Sequence, residues 1–280
     1  MIARIYSRRR YATPEYVAML LDLNYLALNR VFKKLRELRV LKLCYSQDTN
    51  PGDRLVGYLY SELGDEGYAV LDDEGIELQI PEHDNNHEAH DIARDLVMLS
   101  LEIGIKEDGD LELIYRDDLP KSYELQKVNG KRQFMTPDEP PFTIRSKSTG
   151  MSRHIGGVEI ETGSNGVSRK DASRAAPVQK LKRIIWLIES GELQRTHNFG
   201  KQFFWMFVFR TNIRMESVMV YLEEMTAHNP SLRKHFLFKR HPIFGKSKDK
   251  PRATGHILTE PWQRVKCEPL YLDGGKGARQ

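Results

Sequence analysis

Two glutamates stand one residue apart in a segment that is typical of a β-strand. In GGVEIET, residues 156–162, Glu159 and Glu161 flank Ile160. Because side chains two residues apart in a strand point the same way, both carboxylates share one face, while Val158 and Ile160 face the core. That face is either exposed to water or holds a positive charge. The pattern alone leaves both explanations open, and an exposed amphipathic strand is the simpler one.

The residues on either side favour a chemical role for this strand. Asp138 lies just before the strand-like segment FTIR, and Lys180 and Lys182 lie in the first turns of the next helix. Carboxylates provide the hard oxygen ligands that Mg²⁺ prefers, and a lysine offsets negative charge on a phosphate. A divalent metal ion activates a nucleophile and stabilises charge that develops on a phosphodiester. The combination predicts a Mg²⁺ or Mn²⁺ site that cleaves phosphodiesters.

The order of these motifs resembles a known nuclease superfamily. Pro137-Asp138, Glu159-Ile160-Glu161 and Gln179-Lys180 are similar to the motifs of the PD-(D/E)xK, or restriction-endonuclease-like, superfamily. Glu161 departs from the pattern, since the superfamily usually has a lysine two residues after the glutamate. That lysine can migrate into the following helix, so Lys180 or Lys182 is expected to replace it. The departure leaves open whether the site is catalytic.

A narrower resemblance covers about residues 4–265. With HDIARDLVMLSLE at residues 90–102 and the motifs above, the chain is similar to the plasmid replication-relaxation family and to MOBC-class conjugative relaxases. The resemblance implies a protein that nicks origin DNA for conjugative transfer, mobilization or replication. It implies that Asp138, Glu159 and Glu161 bind the metal ion and that Lys180 contacts the phosphate. By the same resemblance, His90 and Glu102 approach the site.

The N-terminal part predicts a DNA-binding element. Thr13 and Pro14 are typical of a helix start, and a second helix follows the turn at residues 22–24. Two strand-like segments, residues 40–46 and 55–62, then predict a hairpin. Helix, turn, helix and hairpin predict a winged helix, whose second helix enters the major groove. The second helix is expected to bury a stripe of apolar residues, namely Leu28, Val31, Phe32, Leu35 and Leu38. The predicted DNA contacts are Arg8, Arg9, Arg10, Asn29, Arg30, Lys33, Lys34, Arg36 and Arg54.

The rest of the chain predicts an α+β protein with two domains. The winged helix-turn-helix occupies residues 1–74, and an acidic linker covers 75–90. An α/β restriction-endonuclease-like domain with a mixed central sheet and a basic C-terminal tail takes residues 91–280. Its first helix is expected to place Ile92, Leu96, Leu99 and Ile103 on one stripe.

Charge is strongly segregated along the 280 residues. Residues 1–60 carry 11 basic and 5 acidic side chains, whereas residues 61–119 carry 3 basic and 19 acidic ones. Basic ends around an acidic middle are typical of a chain that contacts a polyanion, although charge blocks also serve only to solvate a surface. The sequence has neither an apolar span nor an export signal, so a cytoplasmic protein without membrane contact is expected.

Three functions are compatible with these features. The first is a nickase that binds double-stranded origin DNA, with coupling or accessory transfer proteins as possible partners. Its nucleophile is an activated water or one of the 12 tyrosines. The second is a non-catalytic DNA-binding accessory factor with a degenerate nuclease fold, which the missing lysine favours. The third is a transcriptional repressor that recognises a palindromic site.

Overall fold

The chain forms two compact units. The computed structural model describes residues 2–45, 59–78, 88–128, 131–161, 177–197, 199, 203–241 and 254–275. The first unit comprises Met1–Glu107 and Pro242–Ile257, and the second comprises Asp108–His241 and Leu258–Gln280. The helix that was expected to open the second domain thus belongs to the first unit. Much of the predicted acidic linker and of the basic tail lies outside the described residues.

The first unit contains the helices and the hairpin that the sequence predicts. Its elements are α1 (Ile2–Arg8), α2 (Pro14–Leu21), α3 (Tyr25–Glu37), β1 (Leu41–Tyr45), β2 (Leu59–Leu63), α4 (Asp65–Asp73) and α5 (Glu88–Asp108). The Thr13 hydroxyl caps α2 by accepting the Tyr16 N–H. The Asn24 side chain caps α3 by accepting two backbone N–H groups. Strands β1 and β2 pair antiparallel. Helix α1 was not predicted.

Helix α3 buries a narrower stripe than expected. Leu28 and Phe32 are buried, but Val31 is 45% exposed and Leu38 is 55% exposed. The prediction that these two residues join the core was wrong, because only the middle of the predicted apolar stripe packs against the rest of the first unit. The opposite face carries exposed polar and basic side chains, namely Asn29, Arg30, Lys33 and Lys34.

The arginines near the N-terminus are less available than expected. Arg9 is only 2% exposed and its guanidinium lies 3.2 Å from the Glu102 carboxylate. Its assignment to the basic surface was therefore wrong, since a buried guanidinium paired with α5 cannot contact a phosphate. Arg8 and Arg10 are half-buried, and Arg10 pairs with Glu62 at 3.2 Å. Arg54 lies outside the described residues.

Helix α5 is a core helix of the first unit. The four residues of its predicted apolar stripe are all buried, which confirms that pattern. Charged groups on the same helix are buried as well: Arg94 pairs with Asp95 at 2.8 Å, and Asp95 accepts the Tyr11 N–H at 2.9 Å. The bond from Tyr11 ties α5 to the segment before α2, within the first unit.

The second unit is built on a mixed sheet, which confirms the predicted α+β class. Its strands are β3 (Leu111–Tyr115), β4 (Tyr123–Val128), β5 (Lys131–Met135), β6 (Phe142–Ser146), β7 (Ser152–Glu161), β8 (Phe203–Phe209), β9 (Phe236–Arg240), β10 (Trp262–Arg264) and β11 (Cys267–Leu270). Seven of them form one sheet in the order β11-β10-β9-β8-β7-β6-β3. Strands β7, β8 and β9 run parallel to one another, and the other pairs in this sheet are antiparallel. Strands β4 and β5 form a separate hairpin.

Helices connect the parallel strands. The helices of this region are α6 (Pro177–Glu189), α7 (Glu192–His197), α8 (Asn212–Met225), a 3-10 helix (Pro230–His235) and α9 (His256–Thr259), which spans the boundary between the units. Helices α6 and α8 share an apolar core with Phe207, Phe209 and Phe238 of the sheet. In the strand register, Glu159 pairs with Phe207 and Glu161 with Phe209, so both glutamates lie on this helix-covered face. In the described residues, no helix is long and apolar enough to span a membrane.

Candidate functional site

Strand β7 is buried on both faces where it carries the two glutamates. Glu159 is 0% exposed and Glu161 is 4% exposed, while Val158 and Ile160 are buried on the opposite face as expected. The explanation of an exposed amphipathic strand was therefore wrong. A buried carboxylate is costly unless a charge or a hydrogen bond compensates it, so the partners of these two side chains decide what the strand can do.

Two glycines in β7 allow the Pro137-Asp138 segment to approach the strand. A Cβ on Gly157 would lie 2.6 Å from the Pro137 Cβ atom and 3.0 Å from the Trp205 ring. A Cβ on Gly156 would lie 2.9 Å from the same ring. Glycine inside a strand often marks such a close approach. The contact between Pro137 and Gly157 places Asp138 beside the strand that carries the glutamates.

Asp138 takes the place of a strand partner. Glu139 and Val158 exchange two backbone hydrogen bonds of 3.2 Å. One step further along β7, the Asp138 Oδ2 atom accepts the Ile160 N–H at 2.7 Å. A buried N–H group needs an acceptor, and here the side chain provides it where β6 no longer pairs with β7. The carboxylate is therefore held in one position next to Glu159.

Helix α6 directs Lys180, and not Lys182, toward these carboxylates. Lys180 lies three residues after Pro177 and four before Ile184, both of which are buried. Residues at these spacings share one helix face, so the lysine lies on the face that packs on the sheet. Lys182 is exposed on another face. Of the two lysines that the sequence left open, the structure brings only Lys180 to the site.

The Lys180 ammonium group is the common partner of all three carboxylates. Its Nζ atom lies 2.5 Å from Glu159 Oε2, 3.3 Å from Asp138 Oδ2 and 3.7 Å from Glu161 Oε1. The structure therefore brings together the four residues Asp138, Glu159, Glu161 and Lys180, which lie on three separate segments of the chain.

The electrostatics of the cluster depend on burial. Burial raises the pKa of Glu159 to about 8, against the lowering effect of Lys180, and the charge of Asp138 raises it further. Burial alone would lower the pKa of Lys180, but the carboxylates of Asp138, Glu159 and Glu161 outweigh it and raise that pKa. Near neutral pH, Lys180 is therefore a fixed positive charge, and Glu159 retains a proton.

Arg214 belongs to the site and was not predicted. It lies in the first turn of α8, and its Nη2 atom is 3.7 Å from Glu161 Oε2. The signal was present, because α8 follows β8, which runs parallel to β7. The carboxyl ends of parallel strands lie on the same edge of a sheet, so the residues after β8 were bound to lie near Glu161.

Tyr123 also lies close to the cluster, but as a structural group. It is buried, and its hydroxyl donates a hydrogen bond to the Gly156 carbonyl. Burial raises the pKa of Tyr123 well above its ordinary value, and the charge of Glu159 adds to the shift. A protonated hydroxyl that is committed to the backbone is a poor nucleophile.

The donor set suits Mg²⁺ or Mn²⁺ when a substrate completes it. Within the described residues, no group of three or more histidine, cysteine, aspartate or glutamate side chains is arranged to hold a metal ion by itself. Mg²⁺, however, is usually held by one or two carboxylates together with phosphate oxygens of the substrate. The Glu159 Oε1 atom is buried and has no hydrogen-bond donor among the described residues. Asp138 and Glu159 thus fit the ion as a pair of ligands.

The remaining predicted site residues belong to the first unit. His90 lies 3.8 Å from the Asp91 carboxylate at the start of α5, and Glu102 pairs with Arg9. These two ion pairs lie within that unit, and the predicted role of His90 and Glu102 at the carboxylate cluster stays a prediction.

In comparisons with known proteins, no protein-family model matches the chain, and no curated protein or solved structure matches it. The resemblance to plasmid replication-relaxation proteins and conjugative relaxases therefore stays a prediction from short motifs. The function has to be inferred from the cluster itself.

Proposed function

We propose that this protein binds DNA and nicks it in a reaction that depends on a divalent metal ion. The observation that carries the proposal is the convergence of three carboxylates, Asp138, Glu159 and Glu161, on the buried ammonium of Lys180. The cluster lies at the end of β7, where β7 and β8 run parallel and helices cover the face. Active sites of α/β proteins are found preferentially at such an edge.

Each residue has a distinct task in this proposal. Asp138 and Glu159 would hold the metal ion, which supplies an activated nucleophile and stabilises negative charge on the phosphate. Glu159 has to release its proton before it acts as a ligand. Lys180 stays protonated and places a fixed positive charge beside the phosphate, which stabilises charge that develops during cleavage.

Glu161, together with Arg214, positions the ammonium group of Lys180. Glu161 occupies the place where a nuclease of the PD-(D/E)xK type usually has its lysine, and it contacts both Lys180 and Arg214. It therefore holds the replacement lysine on α6 in place. We propose water as the nucleophile. Tyr123, which lies close to the cluster, is unsuited to that role because its hydroxyl is bound to a backbone carbonyl.

The first unit would supply DNA recognition. Helix α3 carries Arg30, Lys33 and Lys34 on its exposed face, and the β1–β2 hairpin follows it. In a winged helix this face enters the major groove. Origin DNA of a plasmid or other mobile element is the substrate that the sequence resemblance implies, and coupling or accessory transfer proteins are the implied partners.

The proposal is tested by nicking of a supercoiled plasmid that carries the origin. Wild-type protein should convert it to the open circular form with Mg²⁺ or Mn²⁺, and EDTA should stop the reaction. Glu159→Gln and Glu161→Gln should lower the rate by at least about a hundredfold. Glu216→Gln, which removes an exposed carboxylate from α8, is the matched control and should nick normally. Equal rates for all four proteins would refute the assignment of the site.

A second candidate function is supported by the position of Lys180. Its ammonium group already neutralises the carboxylates, and the described residues contain no complete set of metal ligands. This arrangement favours a non-catalytic DNA-binding accessory factor in which the cluster only stabilises the fold. Titration with Mn²⁺ separates the two functions. If the protein is a nickase, it binds the ion through Asp138 and Glu159, so Asp138→Asn should reduce the heat of the Mn²⁺ titration. If it is an accessory factor, the heat should be the same in the wild type and in Asp138→Asn.

A further inference from the structure

We infer that the first unit contains a binding site for a nucleotide phosphate, in a cleft behind helix α3. The cleft has a volume of about 560 Å³ and lies between the end of α3, the strands β1 and β2, and the start of α4. This volume is in the range of small-molecule sites. Its lining includes Arg10, Arg36, Arg39, Lys42, Glu62 and Tyr68. The inference concerns the first unit alone and does not rest on the nicking reaction.

Close backbone packing builds the wall of the cleft. A Cβ on Gly64 would lie 2.1 Å from the Arg39 carbonyl oxygen, and one on Gly67 would lie 2.3 Å from that of Val40. No other residue type fits at these two positions without a shift of the backbone. Arg39 itself has a φ angle of 59°, in the left-handed region that non-glycine residues seldom adopt. The start of α4 is thereby fixed against the turn that carries Arg39.

The cleft has more positive charge than its own carboxylates neutralise. Glu62 lies 3.2 Å from both Arg10 and Lys42, so its single charge is shared between two cations. Arg36 and Arg39 also line the cleft. Neither has an ion pair within the described part of the chain. Asp65 is the other acidic residue of the lining. Four cations against two carboxylates leave an excess that attracts an anion.

The two cations without an ion pair among the described residues are both arginines, and a guanidinium suits an oxyanion such as phosphate. A guanidinium presents parallel N–H donors that bind two phosphate oxygens at once, which a lysine cannot do. Arg36 and Arg39 come from neighbouring turns of the chain, at the end of α3 and just beyond it. Together they offer two such donors to one phosphate group.

An aromatic ring beside the cations points to a nucleotide. The Tyr68 side chain lines the same cleft and is 49% exposed. Leu41 and Leu63 are buried and also line the cleft, so part of its lining is apolar. A tyrosine ring stacks on a nucleobase irrespective of its identity. The phosphate therefore binds Arg36 and Arg39 while the base stacks on Tyr68, either as a free nucleotide or as the end of a DNA strand.

Two probes distinguish these sources in the full-length protein. The first is dAMP, titrated calorimetrically. The second is a single-stranded oligonucleotide with a 5′-phosphate, compared by fluorescence anisotropy with the same oligonucleotide lacking that phosphate. The test variant is Arg36→Ala with Arg39→Ala, and the matched control is Lys121→Ala with Lys147→Ala, which removes two positive charges from exposed positions of the second unit. Tyr68→Ala tests the stacking.

The expected result is saturable binding that the test variant weakens at least about tenfold and the control leaves unchanged. Binding of dAMP identifies a free nucleotide as the ligand. A preference for the 5′-phosphate without dAMP binding identifies a strand end. In either case Tyr68→Ala should weaken binding severalfold. Two results overturn the inference. Either the wild type binds neither probe, or the wild type and the test variant bind both probes equally well.

Discussion

Replacing Glu159 by glutamine should change how the stability of the second unit depends on pH. The pKa of Glu159 in the folded protein is about 8, against an ordinary value of 4.5, mainly because the side chain is buried. Between these two values the folded chain binds more protons at this group than the unfolded chain does. The free energy of unfolding therefore falls as pH rises through this window, and it levels off above the folded pKa.

The size of the effect follows from the shift. Integrating the titration of Glu159 in the folded and unfolded states gives a loss of about 4 kcal/mol in the free energy of unfolding of the wild type between pH 5 and pH 9. A glutamine does not titrate, so the variant lacks this loss. Lys180 adds no slope over this range, because its raised pKa keeps it protonated in the folded state and its ordinary value of 10.5 does so in the unfolded state. Glu159→Gln should therefore be close to the wild type at pH 5 and clearly more stable at pH 9.

Tryptophan emission provides the assay. All three tryptophans, Trp186, Trp205 and Trp262, belong to the second unit, so their fluorescence in urea reports on that unit. The free energy of unfolding is measured at pH 5, 7 and 9 for the wild type and Glu159→Gln. Glu216→Gln, an exposed change in the same unit, should keep the wild-type pH dependence. Parallel curves for the wild type and Glu159→Gln would refute the claim that Glu159 is buried with a raised pKa.

Three further predictions concern the same cluster. Lys180→Met should destabilise the second unit by about 3–5 kcal/mol at pH 8 in urea unfolding, because it leaves buried carboxylates without their cation, whereas Lys182→Met should stay within about 0.5 kcal/mol of the wild type. A similar loss in both variants would contradict the ion-pair geometry. Gly157→Ala should cost about 1–3 kcal/mol in the same assay, because the new Cβ meets Pro137, and an unchanged midpoint would contradict that packing. By calorimetry, Mn²⁺ should bind about tenfold more tightly at pH 7 than at pH 6, because Glu159 must lose a proton, and equal affinities would speak against Glu159 as a ligand.

Much of the second unit could be predicted from local patterns. The strand around Glu159 and Glu161, the following helix and the mixed sheet all follow from apolar periodicity and turn residues. The hairpin of β4 and β5 and the strands β9, β10 and β11 were not predicted. Strand β9 is short and follows directly on a 3-10 helix, so its segment shows little periodicity of its own. Its place in the sheet is set by long-range pairing with β8.

The sequence predicted which residues form the candidate site better than it predicted how buried they are. The order of Asp138, the glutamates and Lys180 selected four side chains that the fold brings together. The alternation along β7 could not reveal that its charged face is buried, because alternation looks the same in water and beneath a helix. Likewise, three consecutive arginines at residues 8–10 read as one basic surface, although Arg9 turns inward to pair with Glu102.

The most direct test of the proposed active site is the single-turnover rate of nicking for Lys180→Met and Lys182→Met. Both changes remove one positive charge from the first turns of α6, but only Lys180 contacts the carboxylates. With Mg²⁺ at pH 8, Lys180→Met should nick supercoiled origin plasmid at least about a hundredfold more slowly than the wild type, and Lys182→Met should match the wild type. Tryptophan emission verifies that both variants are folded. Equal rates for the two variants, or no metal-dependent nicking by the wild type, would contradict a catalytic centre at Lys180.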